Sequence, residues 1–264
     1  MRIALGISYS GSGYEGWQSQ LSGNTIQDKL EKALGCFAAQ PVRVMCAGRT
    51  DAGVHGLMQV VHFDTTLTRE MPSWVRGTNA FLPRDIAVQW ARSMPDDFHS
   101  RGSAIARRYA YVLLESNVRP SVEAGRVGWV YRPLNEDAMH QAAQCLLGEH
   151  DFSSFRAAQC QAKTPIKTIK RIDITRRAGS HSAYWHFEFE ANAFLHHMIR
   201  NLMGCLVAVG QGTQPSRWMA EVLAARRRDA AAPTFSPDGL YFLGPVYEGH
   251  HGLPTRTAAF DWLP

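Results

Sequence analysis

The sequence predicts an α+β protein in which one order of strands and helices occurs twice along 264 residues. Segments that alternate apolar and polar residues, as strands do, flank segments with apolar residues at helical spacing. The order strand, helix, strand, strand, helix, strand recurs in both halves of the chain. A hydrophobic content of 45% is ample for packed cores, and no low-complexity segment separates the halves.

The first half opens with an alternating strand at residues 2–9. A helix is expected over Thr25–Phe37, because apolar residues recur at helical spacing behind an Asn/Thr cap. The remaining segments are predicted as strand, strand, helix and strand: Val42–Cys46, Gln59–Asp64, Ser73–Ala80 and Ile86–Ala91. Together they form a β-α-β-β-α-β unit.

The second half repeats this order and adds one helix. Its predicted elements are the strand Arg107–Leu114, the helix Asn135–Leu147, the strands Ile169–Thr175 and Ala183–Glu190, the helices Leu195–Val209 and Ser216–Arg227, and the strand Leu240–Val246. Two ferredoxin-like units imply two antiparallel sheets, fused side by side with a central cleft between the halves. The boundary is expected near Arg101–Ala106, which gives an N-terminal half at 1–104 and a C-terminal half at 105–264.

Composition excludes several classes of protein. The five cysteines are odd in number and scattered without a C-x-x-C pair, which predicts reduced thiols and no zinc or redox site. The chain enters a strand pattern at once and holds no run of eighteen uncharged apolar residues, so we expect a soluble, cytoplasmic protein without signal peptide or membrane span. The fingerprints of NTPases, α/β-hydrolases and dinucleotide-binding proteins are missing.

The basic residues favour a polyanionic partner. Lysine and arginine number 28 against 23 aspartate and glutamate. They cluster at Arg107–Arg108, along Lys163–Arg177 and at Arg226–Arg228. Any single cluster is also explained as a solvated helix end or loop, but their number predicts nucleic acid as the partner and makes the central cleft the expected RNA-binding surface.

One short motif places a carboxylate in a segment flanked by glycines. In "GRTDAGVHG", residues 48–56, Asp51 follows Arg49 by two residues and precedes His55 by four, with glycines at both ends. The same letters describe an ordinary turn, in which aspartate bonds its own backbone and glycine supplies a positive φ. Both interpretations stay open on the motif alone.

Other polar residues also have two interpretations. Tyr109 and Tyr111 share one face of the predicted strand, where either a cleft or the core is possible. His196 and Arg200 are four apart and share a helix face, so Arg200 points at a ligand or forms a surface ion pair.

Metal chemistry is not expected. The pattern His186-x-Glu188 is similar to that of nucleobase deaminases, but the downstream P-C-x-x-C is missing. The adjacent His196 and His197 cannot both bind a metal from one helix face. On the strand before them, Trp185, Phe187 and Phe189 are expected in the core rather than as a base-stacking platform.

Seven segments, in order, resemble the motifs of the tRNA pseudouridine synthase A family. They are "YEGWQ" (14–18), "AGRTDAGVHG" (47–56), "NAFLP" (79–83), "ARRYAY" (106–111), "DFSSFR" (151–156), "ANAFLHHMIRNLMG" (191–204) and "DGLYF" (238–242). The resemblance implies an isomerase that converts uridine to pseudouridine at tRNA positions 38, 39 and 40 in the anticodon stem-loop. It also implies a homodimer that uses neither metal nor cofactor.

The same resemblance implies roles for individual residues. Asp51 corresponds to the catalytic aspartate and Arg49 to its partner and base-flipping residue, while Tyr109 is the aromatic residue of the uracil pocket. Arg200 and Leu240 line that pocket. The chain departs from the family at two positions, Ser100 and Phe235, where alanine is common.

The implied chemistry is compatible with one carboxylate and no cofactor. Pseudouridine formation breaks the bond between ribose C1′ and uracil N1 and joins C1′ to C5, so no atom is added or lost. An ionised Asp51 can attack either C1′ or C6, and Arg49 would lower its pKa against the effect of desolvation. Two alternatives remain: a non-catalytic ferredoxin-like RNA-binding or chaperone module, and an RNA glycosidase or nuclease with Asp64 or Glu188 as second acid.

Overall fold

The computed structural model of the protein describes residues 1–179 and 182–254. Within these residues the chain forms two compact units. Unit 1 contains Met1–Arg107 and residues 241–254, and unit 2 contains Arg108–Leu240. The division into halves at 1–104 and 105–264 remains a prediction about domains; the compact units differ from it because the chain after Leu240 belongs with unit 1.

The elements alternate between strands and helices, which confirms the α+β class. In chain order they are β1 (Arg2–Tyr9), α1 (Ile26–Ala38), β2 (Met45–Cys46), β3 (His55–Asp64), α2 (Met71–Asn79), β4 (Ile86–Met94), β5 (Ala104–Ser116), β6 (Gly128–Val130), α3 (Glu136–Gln144), β7 (Gly148–Asp151), β8 (Ile166–Ala178), β9 (Ser182–Ala191), α4 (Met198–Gly210), α5 (Trp218–Ala225) and β10 (Leu240–Tyr247).

Unit 1 has the predicted order of elements. Its strands pair as β4-β1-β3-β10, and β2 pairs with β3. β1 is antiparallel to both neighbours, with Arg2 opposite Asp64 on β3. β10 is parallel to β3, so this sheet is not purely antiparallel as predicted. Helix α1 begins behind Thr25, whose hydroxyl accepts a hydrogen bond from the Asp28 N–H, and packs its apolar residues against β1 and β3.

Unit 2 is built around a long hairpin. Its strands pair as β5-β9-β8-β7, and β6 is parallel to β5. β8 and β9 are antiparallel, with Ile174 opposite Phe187. The aromatic residues of β9, Trp185, Phe187 and Phe189, are fully buried, which confirms the predicted core face.

Helix α4 begins later than predicted. Its first residue is Met198, and His197 before it has a left-handed backbone with φ of 60°. The prediction that His196 and Arg200 share a helix face is therefore wrong, because His196 lies outside the helix. Among the described residues, no helix is long and apolar enough to cross a membrane; α1 and α4 have 13 residues each.

Candidate active-site residues

The Asp51 loop, residues 47–54, connects β2 to β3 in unit 1 and is fixed at its start by two bonds to β3. The Ala47 N–H donates to the Val60 carbonyl at 2.9 Å, and the Gln59 side-chain amide donates to the Gly48 carbonyl at 2.5 Å. The loop then closes as a turn, because the Val54 N–H donates to the Asp51 carbonyl at 3.2 Å and Gly53 has φ of 81°. The predicted local turn is present around Asp51.

A buried hydroxyl pair fixes the residue next to Asp51. The Tyr9 hydroxyl lies 2.9 Å from Thr50 Oγ1, and both side chains are buried. Burial raises the pKa of Tyr9 far above its ordinary value, against the opposing effect of the Thr50 hydrogen bond, so the phenol stays neutral. Asp51, one residue further, is only half-buried.

Two glycines of the segment 11–17, Gly11 and Gly16, pack directly against the Asp51 loop. A side chain on Gly16, whose φ is 90°, would meet the Thr50 carbonyl oxygen at 2.7 Å and the Asp51 carbonyl carbon at 3.0 Å. One on Gly11 would meet the Val54 carbonyl oxygen at 2.0 Å. The motif patterns alone gave these glycines no role, but the backbone approach requires the missing side chain.

Arg49 and His55 differ in exposure on either side of Asp51. Arg49 is exposed. Burial raises the pKa of the Cys46 thiol to about 11, and the positive charge of Arg49 partly offsets this rise. His55 is buried, accepts the Gly11 N–H on Nδ1 at 3.2 Å, and stacks on Tyr241 with ring centroids 4.6 Å apart. His55 is therefore a packing residue, whereas Arg49 is accessible to a ligand.

The two tyrosines of β5 have different environments in unit 2. Tyr111 is fully buried and its hydroxyl donates to the Ser236 carbonyl at 2.9 Å. Tyr109 is 9% exposed and its ring packs edge-to-face on Phe194, with centroids 5.2 Å apart. Both side chains are therefore buried, and Tyr111 is the more completely enclosed of the two.

Arg200 lies half-buried in the first turn of α4. Its Nε donates to the Phe235 carbonyl at 2.9 Å, and its own carbonyl accepts the Phe235 N–H at 3.1 Å. The Phe235 ring also packs on Tyr111, with centroids 5.7 Å apart. The backbone of Phe235 therefore contacts Arg200 at both its side chain and its main chain.

Leu240 begins β10 and is buried, and its N–H donates to the Pro237 carbonyl at 2.8 Å. A side chain on Gly239 would meet the Val112 carbonyl oxygen at 2.1 Å, which requires glycine in the "DGLYF" motif. The predicted site residues are thus divided: Arg49 and Asp51 belong to unit 1, whereas Tyr109, Arg200 and Leu240 belong to unit 2.

The two carboxylates considered as a second acid are both ion-paired. Asp64 accepts two bonds from Arg2, each at 2.8 Å, and these lower its pKa. Glu188 is buried and accepts Nε and an Nη of Arg108 at 3.0 and 2.5 Å. The lowered pKa keeps Asp64 ionised, which does not suit a general acid, and the Glu188 carboxylate is bound by Arg108 within unit 2.

Comparisons with known proteins point to one family. A family model described as tRNA pseudouridine synthase matches residues 7–101 and 142–248. A protein named tRNA pseudouridine synthase A from Polaromonas naphthalenivorans (strain CJ2) is 81% identical, and one of the same name from Acidovorax ebreus (strain TPSY) is 71% identical; both alignments cover 100% of each chain.

A solved structure titled "Crystal Structure of a Cbf5-Nop10-Gar1 Complex" is a distant match. It is 12% identical with a TM-score of 0.35, and the match covers 78% of this chain and 45% of the other. That likeness is too weak to support an argument about function.

Proposed function

The chain belongs to the tRNA pseudouridine synthase family and is an isomerase that acts on tRNA. From this premise, we propose that it modifies tRNA positions 38, 39 and 40 in the anticodon stem-loop. We also propose that Asp51 is the nucleophile. The observation that carries the proposal is the placement of Asp51. It is a half-buried carboxylate on a loop fixed by Gln59, by the Tyr9–Thr50 pair and by the close approach of Gly16.

A fixed carboxylate suits a reaction that adds and then expels the same group. In one route, Asp51 attacks C1′, the C1′–N1 bond breaks and the uracil leaves as an anion. C5 of the rotated uracil then attacks C1′, and the bond to Asp51 breaks. In the other route, Asp51 adds to C6 of the base, the C1′–N1 bond breaks, C5 bonds to C1′, and the bond between Asp51 and C6 then breaks. Both routes end with loss of the proton from C5, and both regenerate the carboxylate.

The other predicted residues have supporting roles in this proposal. Arg49 is exposed beside Asp51, so its guanidinium can enter the RNA stack as the target uridine flips out. Tyr109 stacks on the flipped uracil and accepts or relays the C5 proton, and Arg200 and Leu240 line the uracil pocket. The proposal also includes a homodimer that acts in the cytoplasm without a cofactor, as the resemblance implies.

The replacement Asp51→Asn tests the proposal. We expect pseudouridine formation to fall by at least a thousandfold, because the amide keeps the shape of the turn but cannot act as nucleophile, while tRNA affinity stays within a few-fold. Tritium release from tRNA labelled at uridine C5 measures turnover, and chemical mapping of pseudouridine identifies the positions. Asp97→Asn, at an exposed acid of unit 1, is the matched control. Turnover of Asp51→Asn within tenfold of the wild type would remove Asp51 from the mechanism.

A further inference from the structure

Exposed aromatic side chains stand beside an arginine in a part of unit 2 that the proposed chemistry does not use. Trp129 of β6 is 38% exposed and Tyr131 is 55% exposed, with ring centroids 6.3 Å apart. The Arg132 guanidinium lies 5.4 Å from the centroid of the Tyr131 ring. Trp129 is held in place, because its Nε1 donates to the Ser116 carbonyl at 2.9 Å. Fixed, open aromatic rings with a neighbouring arginine are typical of surfaces on which RNA bases stack.

Of these residues, Tyr131 also lines a cleft, here called the unit 2 cleft. It has a volume of about 210 Å³ and is lined by Glu115, Ser116, Asn117, Tyr131, Pro133 and Arg176, among others. Sites for drug-sized ligands run from roughly 300 to 1,000 Å³. The unit 2 cleft is smaller, so its size fits a single nucleobase better than a larger ligand.

The charges of the cleft differ between its wall and its rim. Glu115 Oε2 already accepts the Trp185 Nε1–H at 2.8 Å and the Leu134 N–H at 3.0 Å. Glu115 Oε1 lies 3.9 Å from an Nη of Arg176, which is beyond direct hydrogen-bond distance. The wall therefore presents a carboxylate oxygen, which repels phosphate and accepts an N–H, while the exposed Arg132 and Arg176 supply positive charge at the rim.

We propose that the unit 2 cleft binds one unpaired nucleotide of the tRNA substrate, in addition to the target uridine. The base stacks on Tyr131 and donates an N–H to Glu115, and its phosphate binds Arg132. This inference rests on tRNA as the substrate. The arginines favour this polyanion over a second copy of the chain, which would bring its own arginines to the same surface. The cleft adds affinity and orients the tRNA without touching the reacting atoms.

Binding measurements in the Asp51→Asn background separate this inference from the catalytic proposal, because no turnover is required. We expect Tyr131→Ala to raise the Kd for a full-length tRNA transcript by about tenfold, the scale of losing one stacked base. Tyr131→Phe keeps the ring and should stay within twofold of the parent. Ile166→Ala, which removes an exposed apolar side chain elsewhere in unit 2, is the matched control and should also stay within twofold.

Two further measurements identify the ligand. Arg132→Gln should reduce the slope of log Kd against log salt by about one, as loss of one phosphate contact does. Sedimentation of Tyr131→Ala should match that of the parent. An unchanged tRNA Kd for Tyr131→Ala would overturn the inference. A shift of Tyr131→Ala to a smaller assembly would also overturn it, because the cleft would then hold a second copy of the chain.

Discussion

Tyr109 is the residue whose proposed role depends on one oxygen atom. After C1′ is joined to C5, a group must remove the remaining C5 proton, and a phenol can accept or relay it. We expect Tyr109→Phe to keep tRNA binding within a few-fold and to slow turnover by about a hundredfold, the usual scale for losing a general acid or base. Single-turnover rates and tRNA Kd values measure the two effects. Wild-type turnover by Tyr109→Phe would restrict Tyr109 to stacking.

Tyr111→Phe is the matched control for Tyr109, since it removes a hydroxyl from the same strand. That hydroxyl donates to the Ser236 carbonyl inside unit 2. Its loss should lower the free energy of unfolding by about 1 kcal/mol, the usual cost of a buried hydrogen bond, and leave the chemical step unchanged.

Gly16 tests whether the Asp51 loop must be held in its observed position. Gly16→Ala places a methyl group 2.7 Å from the Thr50 carbonyl oxygen at φ of 90°, so the loop has to move or the backbone has to change. We expect turnover to fall at least tenfold and the free energy of unfolding to fall by about 1 to 3 kcal/mol. Gly13→Ala is the control, because nothing lies within 4 Å of its added carbon. Equal activities of the two variants would contradict the packing argument.

Residue-scale reasoning from sequence succeeded where the signal was local. The turn at Asp51 and its glycine could be predicted because aspartate followed two positions later by glycine favours a turn whatever surrounds it. The Tyr9–Thr50 bond could not be predicted, because it joins residues 41 apart and depends on strand register. The role of Gly16 was missed for the same reason: its neighbour is the backbone of another segment.

At the scale of elements, long periodic segments were predictable, whereas two short strands of unit 2 were not. The β8–β9 hairpin carries a clear alternation over many residues. β6 and β7, with three and four residues, are too short to show a period, and neither was predicted. The start of α4 was misplaced because His197 adopts a left-handed backbone that apolar spacing does not reveal.

β3 contains a buried histidine that should make stability depend on pH. His62 lies within 2.9 Å of the Ser100 hydroxyl, and its Nδ1 accepts the Ser100 N–H at 3.2 Å. Desolvation, assisted by His99 and Arg2 and opposed by Asp64, lowers its pKa to about 4. Both contacts join β3 to a residue 38 positions away in the sequence.

The sign of the effect follows from proton binding. Between pH 6.5 and about 4 the unfolded chain holds a proton on His62 that the folded chain does not. Stability is therefore highest above pH 6.5 and falls as the pH is lowered towards 4, by about 3 kcal/mol for this group. Urea unfolding at pH 7.0 and 4.5 measures the change. His62→Gln should show a smaller loss over this interval, and an equal loss would assign the dependence to other groups.

At the scale of the whole molecule, the structure separates the basic residues that are bonded within the protein from those that are exposed. The sequence gives only their number. Arg107 donates to the carbonyls of Ala104, Arg101 and Ala47, and Arg108 is paired with Glu188. Both are thus used within the protein. On β8, by contrast, Lys170 and Arg177 are exposed. Sequence composition predicts the total charge. Whether a given lysine or arginine is bonded within the protein or exposed depends on residues distant in sequence.

The exposed cations of β8 lead to a prediction about how the Kd for tRNA depends on salt concentration. Each lysine or arginine that binds a phosphate releases counterions, and log Kd then rises with log salt by about 0.9 per contact. We expect a steep dependence for tRNA, and the double replacement Lys170→Gln with Arg177→Gln should reduce the slope by about two. Replacing Arg228, which donates to the Ala232 carbonyl at 2.9 Å and to the Thr234 hydroxyl at 3.0 Å, should instead destabilise unit 2 and leave the slope unchanged. Equilibrium binding between 50 and 300 mM salt provides the measurement. If the double variant retains the full slope, the phosphates bind elsewhere and the exposed cations of β8 serve solubility alone.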